Sequence, residues 1–325
     1  MKRRNFIALL GGAAMAVPFA VWAQRQTPRI GMLWHAGSAE EEGAYFTALM
    51  KGFADLGYVD GKTAHFEHRY ANEQYDRFPA QASELIALNV DVIMASILPA
   101  ADAAARLTKA VPIVFVIVSD PVRSGLADSM ARPGRNLTGM SNVTDDLTAK
   151  RVHMFKEAVP GLKRLGVMFN SVGGPPGMLE QYRTACDALT IEALPLDVRN
   201  PADIERVLAT AIPLRLDGVA SAPDAMIFNA RSALAAWGLQ HRVPMMGANL
   251  DTVQAGAFIA YGPNHADIFR RSTGIVDKIL KGEKPGNIPV QQPVTFNLRI
   301  NLKTARAIGI GIPPTVLALA DEVVE

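Results

Sequence analysis

Small polar residues stand directly after six of the apolar runs that predict β-strands. Their hydroxyl, amide and carboxylate groups can hydrogen-bond a small ligand, and a carboxylate can also pair with an ammonium group. Asp120 and Asp224 are placed to supply that carboxylate, while aromatic side chains at strand ends would pack on an apolar part of the ligand. The candidate ligand-binding residues are Trp34, Ser38, Ser96, Ser119, Asp120, Asn142, Asn170, Ser221, Asp224, Asn249 and Tyr261.

Each polar member of this set has a second interpretation, because Ser, Asp and Asn are also the preferred N-caps of α-helices. A cap needs no ligand, and these loops precede predicted helices. Ligands of open α/β sheets bind beyond the carboxyl ends of the strands, which is where these loops fall. The recurrence of the pattern in six loops favours a binding site more than any single residue does.

Sequence patterns typical of enzymes are missing. The chain has no Gly-x-Ser-x-Gly elbow, no Gly-x-x-x-x-Gly-Lys-Ser/Thr loop and no Gly-x-Gly-x-x-Gly after a strand. Its six histidines are scattered, and no His-Glu-x-x-His motif or cysteine pair predicts a metal site. We therefore expect a binding protein rather than an enzyme, with no catalytic residues, no cofactor and no metal.

The elements that must position these residues alternate between apolar strands and helices. Continuous apolar runs at Arg29–Trp34, Val90–Ala95 and Ile113–Val118 are separated by helical stretches such as Glu40–Leu56, where apolar residues recur at helical spacing. Strands of this kind are typical of a parallel sheet that is covered on both faces. The sequence thus predicts the α/β class with doubly wound parallel sheets.

A second strand–helix series begins near residue 145 and ends with a long helix predicted over His265–Leu280. The two series repeat the same rhythm, so we predict two similar lobes, each a doubly wound parallel sheet. Between them, Pro133–Gly139 is rich in Pro, Gly and Asn and is predicted to be a linker with turns. The proline-bearing stretch Pro285–Pro293 is expected to pass from one lobe to the other.

The first 23 residues predict a cleavable signal peptide. Three basic residues, Lys2 to Arg4, precede an apolar run from Phe6 to Val21, and Val21-Trp22-Ala23 is typical of a cleavage site. The paired arginines also fit a twin-arginine signal, so the Sec and twin-arginine routes both stay open, with an uncleaved N-terminal anchor as a minor third option. Cleavage would take the net charge from +2 to −1, which leaves no basic surface that would predict nucleic-acid or membrane binding.

Cys186 is the single cysteine of the chain, so no intramolecular disulfide can form. It lies in a predicted helix, which favours a buried and unreactive thiol. An exported chain without disulfides is typical of the bacterial periplasm, and we expect the protein to reside there.

Five strings along the chain resemble those of ABC transporter substrate-binding proteins of the tryptophan/phenylalanine-binding-like family. They lie at 112–122, 131–139, 159–164, 261–282 and 300–323, and they include Val118-Ser119-Asp120-Pro121-Val122 and Tyr261-Gly262-Pro263-Asn264. The resemblance covers nearly the whole chain after the signal sequence, in the same order.

The resemblance implies a type I periplasmic binding protein fold, in which two α/β lobes joined by a multi-strand hinge close on a ligand. Crossings between the lobes are expected near Gly139–Asn142, Gly262–Asn264 and Gln291–Phe296. The N-terminal lobe would then comprise residues 27–139 and about 264–290, and the C-terminal lobe residues 140–263 and about 291–325, after a signal peptide at 1–23.

The function implied is that of the periplasmic solute-binding component of an ABC importer. It would act as a monomer, capture a small amino-acid-like or aromatic carboxylate ligand between its lobes, and deliver it to an inner-membrane ABC permease. Ser119 and Ser96, with backbone amides at helix starts, would hold a carboxylate, and Asp120 or Asp224 would pair with an amino group. The alternative is a ligand-sensing subunit that docks on a membrane receptor or kinase; an exported enzyme would need a nucleophile–base pair across the cleft.

Overall fold

The computed structural model describes residues 27–142 and 147–325, which form two α/β lobes. The signal peptide predicted at 1–23 lies outside these residues and stays a prediction. In the described ranges no helix is both long enough and apolar enough to cross a membrane.

The first lobe is built on a five-stranded sheet with the order β2-β1-β3-β4-β5, in which all neighbouring strands run parallel. Its strands are β1 (Arg29–Trp34), β2 (His65–Tyr70), β3 (Val92–Ala95), β4 (Ile113–Val118) and β5 (Leu137–Ser141). The helices between them are α1 (Ala39–Glu42), α2 (Ala44–Asp55), α3 (Phe78–Ala87) and α4 (Leu98–Leu107).

The second lobe is built on a seven-stranded sheet with the order β12-β11-β10-β9-β8-β6-β7. The strands are β6 (Arg164–Phe169), β7 (Glu192–Asp197), β8 (Gly218–Ser221), β9 (Met245–Gly247), β10 (Ile259–Pro263), β11 (Phe296–Asn301) and β12 (Glu322–Val324). β10 and β11 pair antiparallel, and the other neighbours pair parallel. The later helices are α5 (Thr148–Ala158), α6 (Met178–Asp187), α7 (Asp203–Ala211), α8 (Ala225–Asn229), α9 (Arg231–His241), α10 (His265–Leu280), α11 (Leu302–Ile308) and α12 (Pro314–Leu317).

Helices cover both faces of each sheet, as the continuous apolar strands predict. On the first sheet, one apolar layer joins Met32 to α2 and α10, and the opposite layer joins Leu33 to α3 and α4. On the second sheet, α5, α6 and α11 cover one face, and α7, α8 and α9 cover the other. The prediction of two doubly wound α/β lobes is confirmed.

Helix α10 packs on the first lobe, although the chain enters it from β10 of the second. Gly52 of α2 lies so close to α10 that a Cβ built there would come within 2.8 Å of the Arg270 carbonyl oxygen. Further on, Gln291 forms a bridge with Met140 of β5 before the chain enters β11. Chain segments therefore join the two lobes after β5, between β10 and α10, and before β11.

Strand β5 corrects one prediction, because the segment Pro133–Gly139 was expected to be a linker with turns. Its second half belongs to β5, whose five residues are all buried and which pairs with β4. A Cβ at Gly139 would collide with the Phe115 carbonyl oxygen, so glycine allows β5 to lie this close to β4. Contacts made by the folded lobe, rather than local propensity, place this strand.

Candidate ligand-binding site

A cavity of about 160 Å³ lies between the two lobes, beyond the carboxyl ends of their parallel strands. Groups from both lobes form its walls, and several of them come from loops that directly follow strands. The lining residues are His35, Tyr45, Tyr75, Ile97, Leu98, Pro99, Ile117, Ser119, Asp120, Arg123, Ser124, Asn142, Gly173, Gly174, Pro175, Pro176, Pro223, Asp224, Ala225, Phe228, Asn249 and His265.

The loop after β4 supplies hydroxyl groups and a charged pair from the first lobe. Ser119 and Ser124 line the cavity beside Asp120 and Arg123. One carboxylate oxygen of Asp120 accepts the backbone N–H of Arg123 at 2.9 Å, and the other lies 3.2 Å from Arg123 Nε. Both charged side chains are partly exposed, so this pair lies at the solvent side of the cavity. The charges of Asp120 and Arg123 neutralise each other there.

The start of α4 forms an apolar wall of the first lobe. Ile97, Leu98 and Pro99 all line the cavity. Ile97 is the N-cap, and no side chain caps the first turn of this ten-residue helix. The positive end of the helix dipole therefore lies against the cavity without a competing side-chain acceptor.

Asp224 is the charged residue that the second lobe contributes to the lining. It is the N-cap of α8, and its Oδ1 accepts the Ile227 backbone N–H at 3.0 Å. Its Oδ2 accepts Asn170 Nδ2 at 3.1 Å. Burial is the main cause that raises the pKa of Asp224, and the nearby Glu73 carboxylate adds to it against the opposing effect of these hydrogen bonds.

A loop of two glycines and two prolines follows β6 and completes the second lobe's wall. Asn170 holds the start of this loop, because its Oδ1 accepts the N–H groups of Val172 and Gly173, each at 2.9 Å. A Cβ at Gly173 would come within 3.1 Å of the ring of Tyr75 in the first lobe. The loop thus contacts the first lobe at Gly173, where any larger side chain would press against the Tyr75 ring.

Aromatic rings from both lobes meet at the cavity. Tyr45 of α2 and Phe228 of α8 are nearly parallel, with centroids 5.8 Å apart and planes at 26°. Tyr45 also stacks on Phe269 at 5.6 Å and meets His265 edge-on at 5.9 Å. The Arg231 guanidinium lies 4.3 Å from the centre of the Phe228 ring. Flat apolar surfaces of this kind suit an aromatic or other planar ligand.

His35 carries a positive charge that two carboxylates surround. Its Nδ1 lies 2.7 Å from Glu73 Oε1, and its Nε2 lies 3.6 Å from Glu42 Oε1. Burial alone would lower the pKa of His35, but Glu42, Glu73 and, as the smallest contribution, Asp224 of the second lobe outweigh burial and raise it to about 9. The imidazolium is therefore already paired within the first lobe.

The part of the cavity nearest the interlobe crossings is polar but uncharged. Asn142 follows β5, Asn249 follows β9, and His265 begins α10. Burial lowers the pKa of His265 to about 4 despite the opposing Asp251 carboxylate, so its ring is neutral at pH 7. These side chains can hydrogen-bond a neutral ligand group.

One side-chain hydrogen bond joins the lobes outside the cavity lining. Asn229 Nδ2 of α8 donates to Glu73 Oε1, the same oxygen that contacts His35, and the Tyr75 hydroxyl donates to Glu73 Oε2 at 3.2 Å. Asn72 and Glu73 both have left-handed backbone angles, with φ of 52° and 57°. Their N–H groups donate to the carbonyls of Ala36 and His35, which fixes the loop and aims the Glu73 carboxylate across the cleft.

Five of the residues predicted from the sequence lie together in the cavity lining. They are Ser119, Asp120, Asn142, Asp224 and Asn249. Asn170 lies directly behind them, since it contacts Asp224 and is 7% exposed. The rule that polar residues after parallel strands meet at one edge therefore describes this part of the site.

The structure places the other five predicted residues elsewhere. Trp34 is 1% exposed and donates to His68 Nδ1 at 3.0 Å, because its side of β1 faces the layer of α2 and α10. Ser38 acts as the N-cap of α1, and the Ser221 hydroxyl donates to the Met246 carbonyl at 3.3 Å. Ser96 is buried beside Trp34, and Tyr261 packs against the core of the second lobe.

Several lining residues were missed at the sequence level. His35 directly follows β1 and His265 directly follows the N-cap of α10, so the strand-end rule would have found both. Phe228 lies one turn into α8, and Tyr75 lies in a short 3-10 turn after β2. No local pattern marks these two rings, because they reach the cavity only through the packing of the lobes.

No metal site is evident in residues 27–142 and 147–325, where no three His, Cys, Asp or Glu side chains are grouped to hold a metal ion. The buried thiol of Cys186 lies in α6, and burial raises its pKa to about 12, as expected for an unreactive core cysteine.

The family of the chain follows from a match along most of its length. The family model of ABC transporter substrate binding proteins matches residues 41–324, which include both lobes and nearly every group of the cavity. The chain belongs to this family. As a substrate-binding protein, it binds a small ligand that an ABC transporter carries, and the family is one of solute-binding proteins rather than enzymes.

Known relatives agree with this assignment. This substrate-binding protein is similar to a tyrosine-binding protein of Clostridioides difficile (strain R20291), with 23% identity over 261 residues that cover 80% of this chain and 75% of that protein. A conserved domain protein from Vibrio cholerae O1 biovar eltor str. N16961 has a similar structure, with a TM-score of 0.84, 26% identity and coverage of 91% of this chain and 99% of that one.

A second similar structure is that of the ABC domain in complex with L-Trp from Streptococcus pneumonia. Its TM-score is 0.84 at 22% identity, and the match covers 92% of this chain and 100% of that chain. These likenesses confirm the two-lobed type I periplasmic binding protein fold.

Proposed function

We propose that this substrate-binding protein is the periplasmic component of an ABC importer that captures a small amino-acid-like or aromatic carboxylate ligand between its lobes. The observation that carries the proposal is the interlobe cavity, whose walls combine the Tyr45 and Phe228 rings with polar groups at strand ends. The similar proteins described as tyrosine-binding and as bound to L-Trp support an aromatic ligand.

Each wall of the cavity has a role in this proposal. A ligand carboxylate binds at Ser119 and Ser124, near the Arg123 guanidinium and the uncapped start of α4. The ligand ring lies against the aromatic side chains, and Asn142 and Asn249 hydrogen-bond its polar groups. Binding shifts an equilibrium between open and closed lobes, and the closed form docks on the permease.

The arrangement of the whole protein belongs to the same proposal. The hinge consists of the three chain crossings, with one lobe comprising residues 27–139 and about 264–290 and the other 140–263 and about 291–325. Export removes residues 1–23, and the protein acts as a periplasmic monomer. Loss of uptake of the bound solute from cells that lack the protein would distinguish transport from sensing.

Thermal-shift screening followed by calorimetry tests the ligand class. We expect one or more L-amino acids or aromatic acids to raise the melting temperature, because a ligand at 100 times its Kd stabilises the native state by about 2.7 kcal/mol.

Phe228→Ala should weaken binding about tenfold or more, since it removes one aromatic wall. Leu239→Ala is the control, because Leu239 is an exposed apolar residue of the same lobe. A panel without any binder, or unchanged affinity in Phe228→Ala, would contradict the proposal.

A further inference from the structure

We propose that the ligand ring carries a neutral hydrogen-bonding group, a phenol hydroxyl or an indole N–H, and that His265 is the residue that selects it. This inference rests on the proposed function and narrows it, because it separates aromatic ligands with a polar ring from those whose ring is purely apolar. It follows from the position of His265 in the cavity and from the contacts of its ring.

His265 lies where the cavity meets a chain crossing between the lobes. It is the first residue of α10 and directly follows the N-cap Asn264. The Asn264 side chain accepts the backbone N–H of Asp267 at 3.2 Å, which fixes the first turn of the helix. His265 is 6% exposed, yet it contributes to the lining of the cavity. Its imidazole is therefore a buried group that a ligand in this cavity can contact.

One nitrogen of this imidazole lacks a hydrogen bond within the protein. The Nε2 atom of His265 is buried and has no hydrogen-bond partner among the residues that the structure describes. Asp251 and Arg151 act on the ring through their charges, but Asp251 pairs with Arg299 at 3.0 Å. Arg151 donates to two backbone carbonyl oxygens. Because a buried polar atom without a partner costs free energy, a ligand group that pairs with it gains affinity.

The ring of His265 is neutral, and this determines which groups it can bind. Burial lowers the pKa of His265 to about 4, and the Arg151 guanidinium adds to this effect against the opposing Asp251 carboxylate. A neutral imidazole has one N–H donor and one acceptor nitrogen. A phenol hydroxyl both donates and accepts, so it can pair with either tautomer, whereas an indole N–H pairs only with the acceptor nitrogen. A phenol hydroxyl is therefore the better match.

The neighbouring aromatic walls place a ligand ring beside His265. The Tyr45 ring meets the imidazole edge-on at 5.9 Å and lies nearly parallel to the Phe228 ring at 5.8 Å. A ligand ring that packs against Tyr45 and Phe228 has the imidazole next to it. An apolar ring makes the same packing contacts but leaves Nε2 without a partner. A site of this kind discriminates by hydrogen bonding as well as by shape.

Calorimetry with two matched pairs of ligands tests this inference on the purified protein. L-tyrosine is compared with L-phenylalanine, and L-tryptophan with 3-benzothienyl-L-alanine, in which sulfur replaces the indole N–H. In the pair that binds more tightly, we expect the member with the polar ring to bind about 10–100-fold more tightly than the other. The reason is that the apolar member leaves a buried polar atom unpaired.

Substitutions at His265 connect this preference to the imidazole. His265→Phe should remove most of it, because phenylalanine keeps a ring at this position but cannot hydrogen-bond. His265→Gln should retain part of it, since its amide both donates and accepts. His153→Phe is the control, because His153 is an exposed residue of α5 outside the cavity lining. Unchanged circular dichroism and binding of the apolar-ring ligand verify that His265→Phe folds.

The outcomes separate this inference from the proposed function. Equal affinity of the wild-type protein for both members of each pair, or a preference that persists in His265→Phe, would overturn the role of His265. An aromatic-ligand carrier would still stand in that case. If no aromatic amino acid bound while a neutral polyol did, both the ligand class and the requirement for a polar ring would fall.

Discussion

At the residue scale, the charge on His35 depends on the two carboxylates beside it. Burial alone would favour the neutral ring, but Glu73 at 2.7 Å and Glu42 at 3.6 Å raise the pKa to about 9. In the unfolded chain the ring regains its ordinary pKa near 6.5. A group whose pKa is higher in the folded state stabilises that state fully at pH values below the unfolded pKa.

We therefore expect the free energy of unfolding to decrease as the pH rises from about 6.5 to about 9. The loss attributable to His35 is on the order of 3 kcal/mol, because each unit of pKa difference corresponds to about 1.4 kcal/mol. Chemical denaturation at a series of pH values measures it. His35→Gln should have a flatter profile, whereas His153→Gln, which alters an exposed histidine of α5, should follow the wild type. A wild-type profile that stays flat over this range would show that folding does not raise the pKa of His35.

At the element scale, the sequence predicts the regular elements well and the interrupted ones poorly. The bounds of β1, β4 and α10 agree with the prediction, because each is a continuous run of the right periodicity. The helix predicted over Glu40–Leu56 is instead broken at Gly43, whose φ is 57°. Strands such as β5 have little apolar signal of their own and depend on neighbouring strands for their place.

The residues of the candidate site also divide into those that the sequence predicts and those that it does not. Polar residues at strand ends, such as Asp224 and Ser119, follow from topology, since parallel strands end at one edge. The rings of Tyr75 and Phe228 do not, because they come from helical turns whose position depends on how the lobes close. Trp34 was misplaced because its position at the end of a strand does not reveal which sheet face it occupies.

Two glycines of α2 and α10 form a matched pair, because Gly52 lies at the contact between these helices and Gly274 does not. A Cβ at Gly52 would lie 2.8 Å from the Arg270 carbonyl oxygen, whereas a Cβ at Gly274 of α10 would meet no atom within 4 Å. We expect Gly52→Ala to destabilise the protein by about 1–3 kcal/mol through overpacking. Gly274→Ala should stabilise it by up to about 1 kcal/mol through helix propensity. Denaturant unfolding of both variants measures the difference, and a neutral Gly52→Ala would mean that the two helices can move apart without cost.

At the scale of the whole molecule, the lobes touch each other through groups that need no ligand. Asn229 donates to Glu73, Tyr45 stacks on Phe228, and Gly173 lies against Tyr75. Asn229 and Glu73 do not belong to the cavity lining. Their hydrogen bond therefore contributes to closure without contributing to ligand contact.

We expect Asn229→Ala to lower ligand affinity about tenfold by favouring the open form. A hydrogen bond to a charged group contributes about 1.5–3 kcal/mol, and 1.4 kcal/mol corresponds to tenfold. Calorimetry measures the affinity, and small-angle scattering measures whether the ligand-bound protein is less compact. Asn200→Ala is the control, because Asn200 contacts Asp203 on the surface of the second lobe. Unchanged affinity in Asn229→Ala would show that this bond does not hold the lobes together.

The position of α10 in the chain also fixes the earliest moment at which the first lobe can complete its core. Ile268, Phe269, Ile275 and Val276 of α10 cover part of one apolar face of its sheet, and they follow most of the second lobe in the chain. A ribosome that adds 5–20 residues per second would need roughly 6–25 seconds to proceed from β5 to this helix. During that interval the nascent first lobe has its strands and α2 but lacks the part of this apolar layer that α10 supplies. The amino-terminal half of the polypeptide is thus synthesised early and finishes folding late.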